Sequence, residues 1–152
     1  MQPSYQLLSF NQLSLRQLYA VLQLRAEVFV VEQDCAYQDL DGLDFDALHL
    51  LQHHAGNFSG YTRLLAPGAD FAEACAIGRV ITAPSVRGTG LGKALMQQSI
   101  QECTRLWPGS TIKMHAQVYL LEFYTQLGFT AYGDQFLEDG IPHQFMQRPA
   151  SV

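Results

Sequence analysis

The sequence predicts an α/β fold, and three observations carry that reading. Short apolar segments of strand character are interspersed with segments whose apolar residues recur at helical spacing. A glycine-rich run, Arg87-Gly88-Thr89-Gly90-Leu91-Gly92-Lys93-Ala94, stands between one such strand and one such helix. The chain has 152 residues, 48% of them hydrophobic and 15% charged, which is the composition of a globular protein with a sizeable core. A single domain over 1–152 is expected, without repeats, linkers or low-complexity segments.

The elements follow in order. Tyr5 to Phe10 reads as a first strand. Ser14 opens a helix with Gln17 in the capping-box position, and the pattern runs to about Val31. Leu15, Leu18, Tyr19, Leu22, Ala26 and Phe29 are its expected core face. The loop from Glu32 to Asp46 carries six acidic residues. It reads either as a solvated surface or as an attractor for a cationic substrate. Leu48 to His53 and Phe58 to Leu65 form a hairpin around His54–Asn57. The next strand, Ala76 to Thr82, leads through the glycine run into a helix that ends at Trp107-Pro108-Gly109. Its expected buried side is Leu95, Met96, Ser99, Ile100, Cys103, Leu106 and Trp107. Thr111 to Ala116 is a strand, Leu120 to Gln126 a short helix ended by Gly128, and Phe129 to Tyr132 and His143 to Gln147 are the last strands. Glu138 to Pro142 reads as the loop between them. Such an order gives antiparallel neighbours early and a parallel crossover through the helix after the glycines.

Strand, glycine turn and helix together can hold a phosphate, because glycine lets the backbone approach the anion and the helix N-terminus presents unpaired N–H groups. A plain helix-capping turn is the alternative. Spacing excludes two common owners. A Walker loop needs glycine at position 87 and Ser or Thr at 94, where Arg and Ala stand. A dinucleotide fingerprint needs Gly-x-Gly-x-x-Gly near the first strand, whereas this run is Gly-x-Gly-x-Gly past mid-chain.

The net charge of −5 argues against nucleic acid as a partner. No apolar run approaches a membrane span, and Met1 to Tyr5 lacks a basic region followed by an apolar one, so no signal peptide is expected. Cys35, Cys75 and Cys103 are odd in number and scattered, as for free thiols in a reducing cytoplasm. His49, His53 and His54 sit on a strand, where i,i+4 spacing does not share a face in the way a helical metal motif needs; no metal site is expected.

The run Arg-x-x-Gly-x-Gly, at Arg87, Gly90 and Gly92, resembles the pyrophosphate motif of the GNAT (GCN5-related) N-acetyltransferases. Phe123-Tyr124-Thr125-Gln126-Leu127-Gly128-Phe129 is similar to a second signature of that family. Arg25 to Gln33, Asp41-Gly42-Leu43-Asp44, His115-Ala116-Gln117 and Glu138 to His143 resemble its ElaA-like branch. The resemblance covers nearly the whole chain. It implies a mixed, mostly antiparallel sheet whose central parallel strands splay apart, flanked by helices. It also implies transfer of an acetyl group from acetyl-coenzyme A to a primary amine, and a homodimer as an open expectation, since family members are often dimers. Backbone groups of Val80, Ile81 and Thr82 would pair with the pantetheine arm. Arg87, Gly88, Thr89, Gly90, Leu91, Gly92 and Lys93 would hold the pyrophosphate. Gln117 stands where many members have an Asn that contacts the cofactor, and Tyr124 matches the tyrosine that protonates the departing thiolate.

An amine acceptor must lose a proton before it attacks. At a pKa near 10.4, only about one molecule in 2500 is free base at pH 7. Glu32, His49, His115 and His143 are the candidate bases, with Glu32 and His143 ranked first. The competing reading is a non-catalytic acyl-coenzyme A binding module of the same fold, which would have no need for Tyr124.

Overall fold

The structure is a computed structural model that describes residues 2–150. Its regular elements are β1 (Ser4–Ser9), α1 (Leu15–Arg25), β2 (Leu48–His54), β3 (Asn57–Leu65), β4 (Cys75–Thr82), α2 (Leu91–Leu106), β5 (Ile112–Gln117), α3 (Leu121–Thr125), β6 (Thr130–Glu138) and β7 (Ile141–Arg148). The strands form one sheet in the order β1-β2-β3-β4-β5-β7-β6. Only β4 and β5 are parallel; the other pairs are antiparallel.

Helix α1 begins as expected. The Ser14 hydroxyl accepts from the Gln17 N–H at 3.0 Å, and the Gln17 side chain accepts from the Ser14 N–H at 2.9 Å. The helix then widens into a π-wound segment, Ala26–Glu32. Its buried stripe differs from the expected one. Val21, Leu24 and Val28 pack on Leu51, Tyr61 and Ile81, while Leu15, Tyr19 and Ala26 face solvent. The reason is Arg25, fully buried within that stripe, whose charge marks it as polar in the sequence.

Helix α2 buries Leu95, Met96, Ser99, Ile100 and Cys103, as expected, and Leu106 and Trp107 only partly. The wholly buried Gln52 ties its start to β2 and β3: the amide donates to the Leu91 carbonyl at 3.0 Å and accepts from the Ser59 hydroxyl at 2.8 Å. Such buried polar bonds fix the position of the glycine turn relative to the sheet.

The last hairpin is longer than predicted. Glu138, Ile141 and Pro142 belong to strands, and only Asp139 and Gly140 turn, with φ of 52° and 77°. Two consecutive left-handed residues make a hairpin turn that matches strand twist. Pro142 is tolerated because pairing of β7 with β5 begins one residue later, at His143.

Candidate active site

The centre of the sheet contains a wedge. Strands β4 and β5 pair only at Cys75–Ile112 and Ala76–Lys113, then separate. A bulge between Tyr61 and Arg63 of β3 and their partners on β4, with Arg79 at φ 52°, accompanies the separation. Beyond it, the Ala83 N–H donates to the Ser59 carbonyl at 2.8 Å. By strand alternation, the N–H and C=O groups of Val80 and Thr82 therefore point away from β3, into the wedge. The Ile81 side chain packs on the α1 side in the core. A cavity of about 550 Å³ occupies the wedge, and Val80, Gln117, Tyr124 and His143 all line it.

The glycine run closes the sheet end of α2. Gly88 and Gly90 have φ of 78° and 87°, and a Cβ on either would meet nothing within 4 Å. The hollow beside them is open. Helix α2 has no side-chain cap, and its first backbone bond is from Ala94 to Gly90, so the N–H groups of its first turn lack partners among the described residues. An uncapped first turn beside two glycines of this geometry fits a diphosphate. The Thr89 hydroxyl is folded back onto the Val86 carbonyl. Gly92 has a different surrounding: a Cβ there would stand 3.7 Å from the Thr82 methyl. Arg87 reaches the carboxylate of Glu32 at 2.6 Å. Glu32 thus stands beside the glycine run, and it is not among the residues that line the wedge with Tyr124.

Tyr124 is buried between Phe123 and Phe129 rings, and burial raises its pKa, so the phenol keeps its proton at neutral pH. The side chain of Gln117 exchanges amide contacts with Gln33 at 3.2 and 3.4 Å, which joins the end of β5 to the segment after α1.

The histidines divide sharply. His49 is buried; its Nε2 donates to the Asp44 carbonyl at 2.9 Å, so its Nδ1 accepts from the Tyr61 hydroxyl at 2.6 Å. Burial lowers its pKa, and it holds the core together rather than serving as a base. His115 lies between Asp70 and Glu138, at 3.0 and 2.9 Å. Burial opposes its charge, but hydrogen bonds to the two carboxylates outweigh that and raise its pKa to about 9. It is an imidazolium at neutral pH and is likewise removed from the list of bases. His143 is 6% exposed, lines the wedge and directs Nδ1 to the Ile141 carbonyl at 2.7 Å.

The acidic loop divides: Asp34 and Asp46 are exposed, Glu32 pairs with Arg87, and the other three acids form a network. Asp39, Asp41 and Asp44 pair with Arg25, Arg63 and Arg79 at 2.7–3.3 Å, beneath the wall of the wedge. Burial works against the charge of Asp41, yet its two hydrogen bonds from Arg63 draw its pKa down to about 2. Sequence reasoning missed these arginines, and also Asp70 and Glu138. Three acids two or three residues apart and three arginines on three different elements were the available signal, but only the fold brings them together.

An open parallel wedge with a glycine-lined anion hollow at one end characterises a known group of proteins. Residues 12–149 match the acetyltransferase (GNAT) domain. The chain belongs to the GNAT family. Within that family, it is 42% identical over 146 residues to protein ElaA of Escherichia coli strain K12, an alignment that covers 95% of each chain. The crystal structure of E. coli ElaA superposes with a TM-score of 0.89 at 41% identity, covering 97% of this chain and 99% of that one. An acyl-CoA N-acyltransferase from Pseudomonas aeruginosa superposes with a TM-score of 0.90 at 42% identity, with the same coverage. The expected ElaA-like resemblance is therefore established for this GNAT chain, and its seven-stranded mixed sheet is the GNAT fold. Membership implies use of an acyl-coenzyme A and an acceptor. Among the described residues, no helix is long and apolar enough to cross a membrane, and no group of three His, Cys, Asp or Glu is placed to hold a metal.

Proposed function

We propose that this chain is an acetyl-coenzyme A-dependent N-acetyltransferase that acylates a primary amine by direct attack, with both substrates bound together. The wedge carries the proposal. It has a hollow suited to a diphosphate at one end and a buried tyrosine with a histidine inside. Acetyl-coenzyme A would supply an acetyl group already activated as a thioester.

The chain's own residues then have separable tasks. The N–H groups from Gly88 to Lys93 would bind the diphosphate, with Arg87 joining them once released from Glu32. Val80 and Thr82 would offer backbone groups to the pantetheine amides, and an N–H of this strand would polarise the thioester carbonyl. Gln117, oriented by its tie to Gln33, would contact the cofactor arm. Holding both partners in one wedge supplies much of the rate by removing the cost of bringing them together.

Protons balance as follows. An ammonium acceptor loses two. His143 Nε2 takes one and passes it to solvent. Tyr124 gives its own proton to the departing sulfur and recovers the second from the amine nitrogen. Of the four candidate bases, His143 is the one that lines the wedge with a ring nitrogen that makes no hydrogen bond, Glu138 Oε2 standing 3.5 Å from it. Glu32 serves the phosphate end through Arg87 instead.

Thiol release from acetyl-coenzyme A, measured with and without a panel of primary amines, tests the proposal. Amine-dependent release with formation of the acetylated amine supports it. Tight binding of acetyl-coenzyme A with no release for any amine would favour a non-catalytic binding module.

A further inference from the structure

We infer that Glu138 is a positioning residue for His143, itself held by His115 and Asp70 in a clamp of alternating charge along the wall of the wedge. The inference rests on His143 as the base. The clamp joins four parts of the fold: Asp70 from the loop between β3 and β4, His115 on β5, Glu138 at the end of β6 and His143 on β7. All four line the cavity.

The distances define what each group can do. The Ile141 carbonyl only accepts, so the 2.7 Å contact places a proton on His143 Nδ1. The neutral ring then carries its lone pair on Nε2. That nitrogen stands 3.5 Å from Glu138 Oε2, too far for a hydrogen bond and suited to two groups that both only accept. Once Nε2 receives a proton it becomes a donor aimed at a carboxylate, and the contact can close into a charge-assisted bond. Glu138 cannot turn away, because its other oxygen is held by His115 Nδ1 at 2.9 Å. His115 cannot turn either, because Nε2 is held by Asp70 at 3.0 Å. The Phe136 ring stacks on His143 at 6.1 Å between centroids and 24° between planes, which fixes the imidazole from the side.

Charge favours the same direction. Asp70, His115 and Glu138 together carry one net negative charge, facing Nε2 of a neutral ring. A proton on that nitrogen makes the assembly neutral. Hydrogen bonds with His115 lower the pKa of both carboxylates, so both stay ionised at neutral pH. Arg79 on β4 acts on Glu138 in the same sense. Lys113, also on β5, is turned to the Phe71 and Tyr132 rings.

The experiment follows the imidazole nitrogens of the full chain by 15N NMR as a function of pH, in wild type, Glu138→Gln and Asp70→Asn. In wild type at high pH, His143 carries its proton on Nδ1. With His143 protonated at acid pH, its Nε2 proton should resonate downfield through its bond to Glu138, and Glu138→Gln should move that resonance upfield. Asp70→Asn, whose side chain is partly exposed, should move it less and guards against misfolding of the first variant. Thiol release is measured in parallel with acetyl-coenzyme A and lysine, putrescine and phenethylamine. With the most productive amine, Glu138→Gln should lower kcat about 10- to 100-fold, the range for a general-base contribution, and leave acetyl-coenzyme A affinity within about twofold. An unmoved Nε2 proton resonance of His143 in Glu138→Gln, or a proton found on Nε2 at high pH, would overturn the clamp. Absence of amine-dependent release in wild type would instead overturn the transferase reading, and the NMR titration would still decide the clamp.

Discussion

Gly90→Ala separates the cost of a side chain to the fold from its cost to ligand binding. Gly90 is the residue before the first turn of α2, at φ 87°, and a Cβ there meets no protein atom within 4 Å. The fold therefore bears only the left-handed backbone penalty, about 1–2 kcal/mol. For a chain of this length, that lowers the melting midpoint by about 2–8 °C. A bound diphosphate would bear more. The methyl group enters the hollow that the phosphate oxygens need, and two charge-assisted hydrogen bonds at about 1.5 kcal/mol or more each would be lost. Acetyl-coenzyme A affinity should then fall about 100-fold or more. The matched control is Gly109→Ala, at φ 81° and also with nothing within 4 Å, at the other end of α2, about 24 Å away. Both variants should lose similar stability by thermal denaturation, and only Gly90→Ala should lose affinity by calorimetry. Wild-type affinity in Gly90→Ala, or an equal loss in Gly109→Ala, would refute the diphosphate hollow.

Tyr124→Phe should lower kcat about 10- to 100-fold, with acetyl-coenzyme A affinity within twofold; unchanged turnover would remove the phenol from the mechanism. Glu32→Gln frees Arg87 from a half-exposed ion pair and should tighten acetyl-coenzyme A binding at low salt by up to about fivefold, whereas a large fall in kcat at saturating cofactor would restore Glu32 as the base. Arg25→Met leaves Asp39 and Asp44 each short of one fully buried partner and should destabilise by about 3 kcal/mol or more, read as a lowered urea midpoint; a midpoint at or above wild type would show that the network costs as much as it contributes. The His115 pKa is raised in the fold from 6.5 to about 9, so its stabilisation is complete below about pH 6.5 and is lost as pH rises through 9. The difference in melting midpoint between wild type and His115→Gln should accordingly narrow across that window, and a constant difference would contradict the charged clamp.

The parts of this fold that were legible in the sequence are those set by local rules. The Ser14–Gln17 cap, the buried side of α2 and the glycine turn each depend on residues within a few positions of one another. Glu138 to Pro142 read as a loop, whereas only Asp139 and Gly140 turn, and the open edge of β7 that admits Pro142 is a property of the whole sheet. The buried stripe of α1 was misread because Arg25 is compensated by Asp39 and Asp44, 14 and 19 residues away. Hydropathy assigns a charge to the surface; only pairing permits it inside. The histidines show the same limit. Residue type made His49, His115 and His143 all candidates, with His143 ranked ahead. Their partners, supplied by different strands, made one a neutral core residue and one a fixed cation, and left His143 with a ring nitrogen that makes no hydrogen bond. Glu138 was counted as a loop residue, and its role became visible only when β5, β6 and β7 placed two histidines against its two oxygens.

The most direct test of the central claim is a crystal structure of the full chain grown with coenzyme A. The account requires the diphosphate within hydrogen-bond distance of the N–H groups between Gly88 and Lys93. It also requires the pantetheine arm between β4 and β5, and the sulfur next to the Tyr124 hydroxyl. Coenzyme A bound with its diphosphate elsewhere, or with β4 and β5 closed and the sulfur remote from Tyr124, would contradict it.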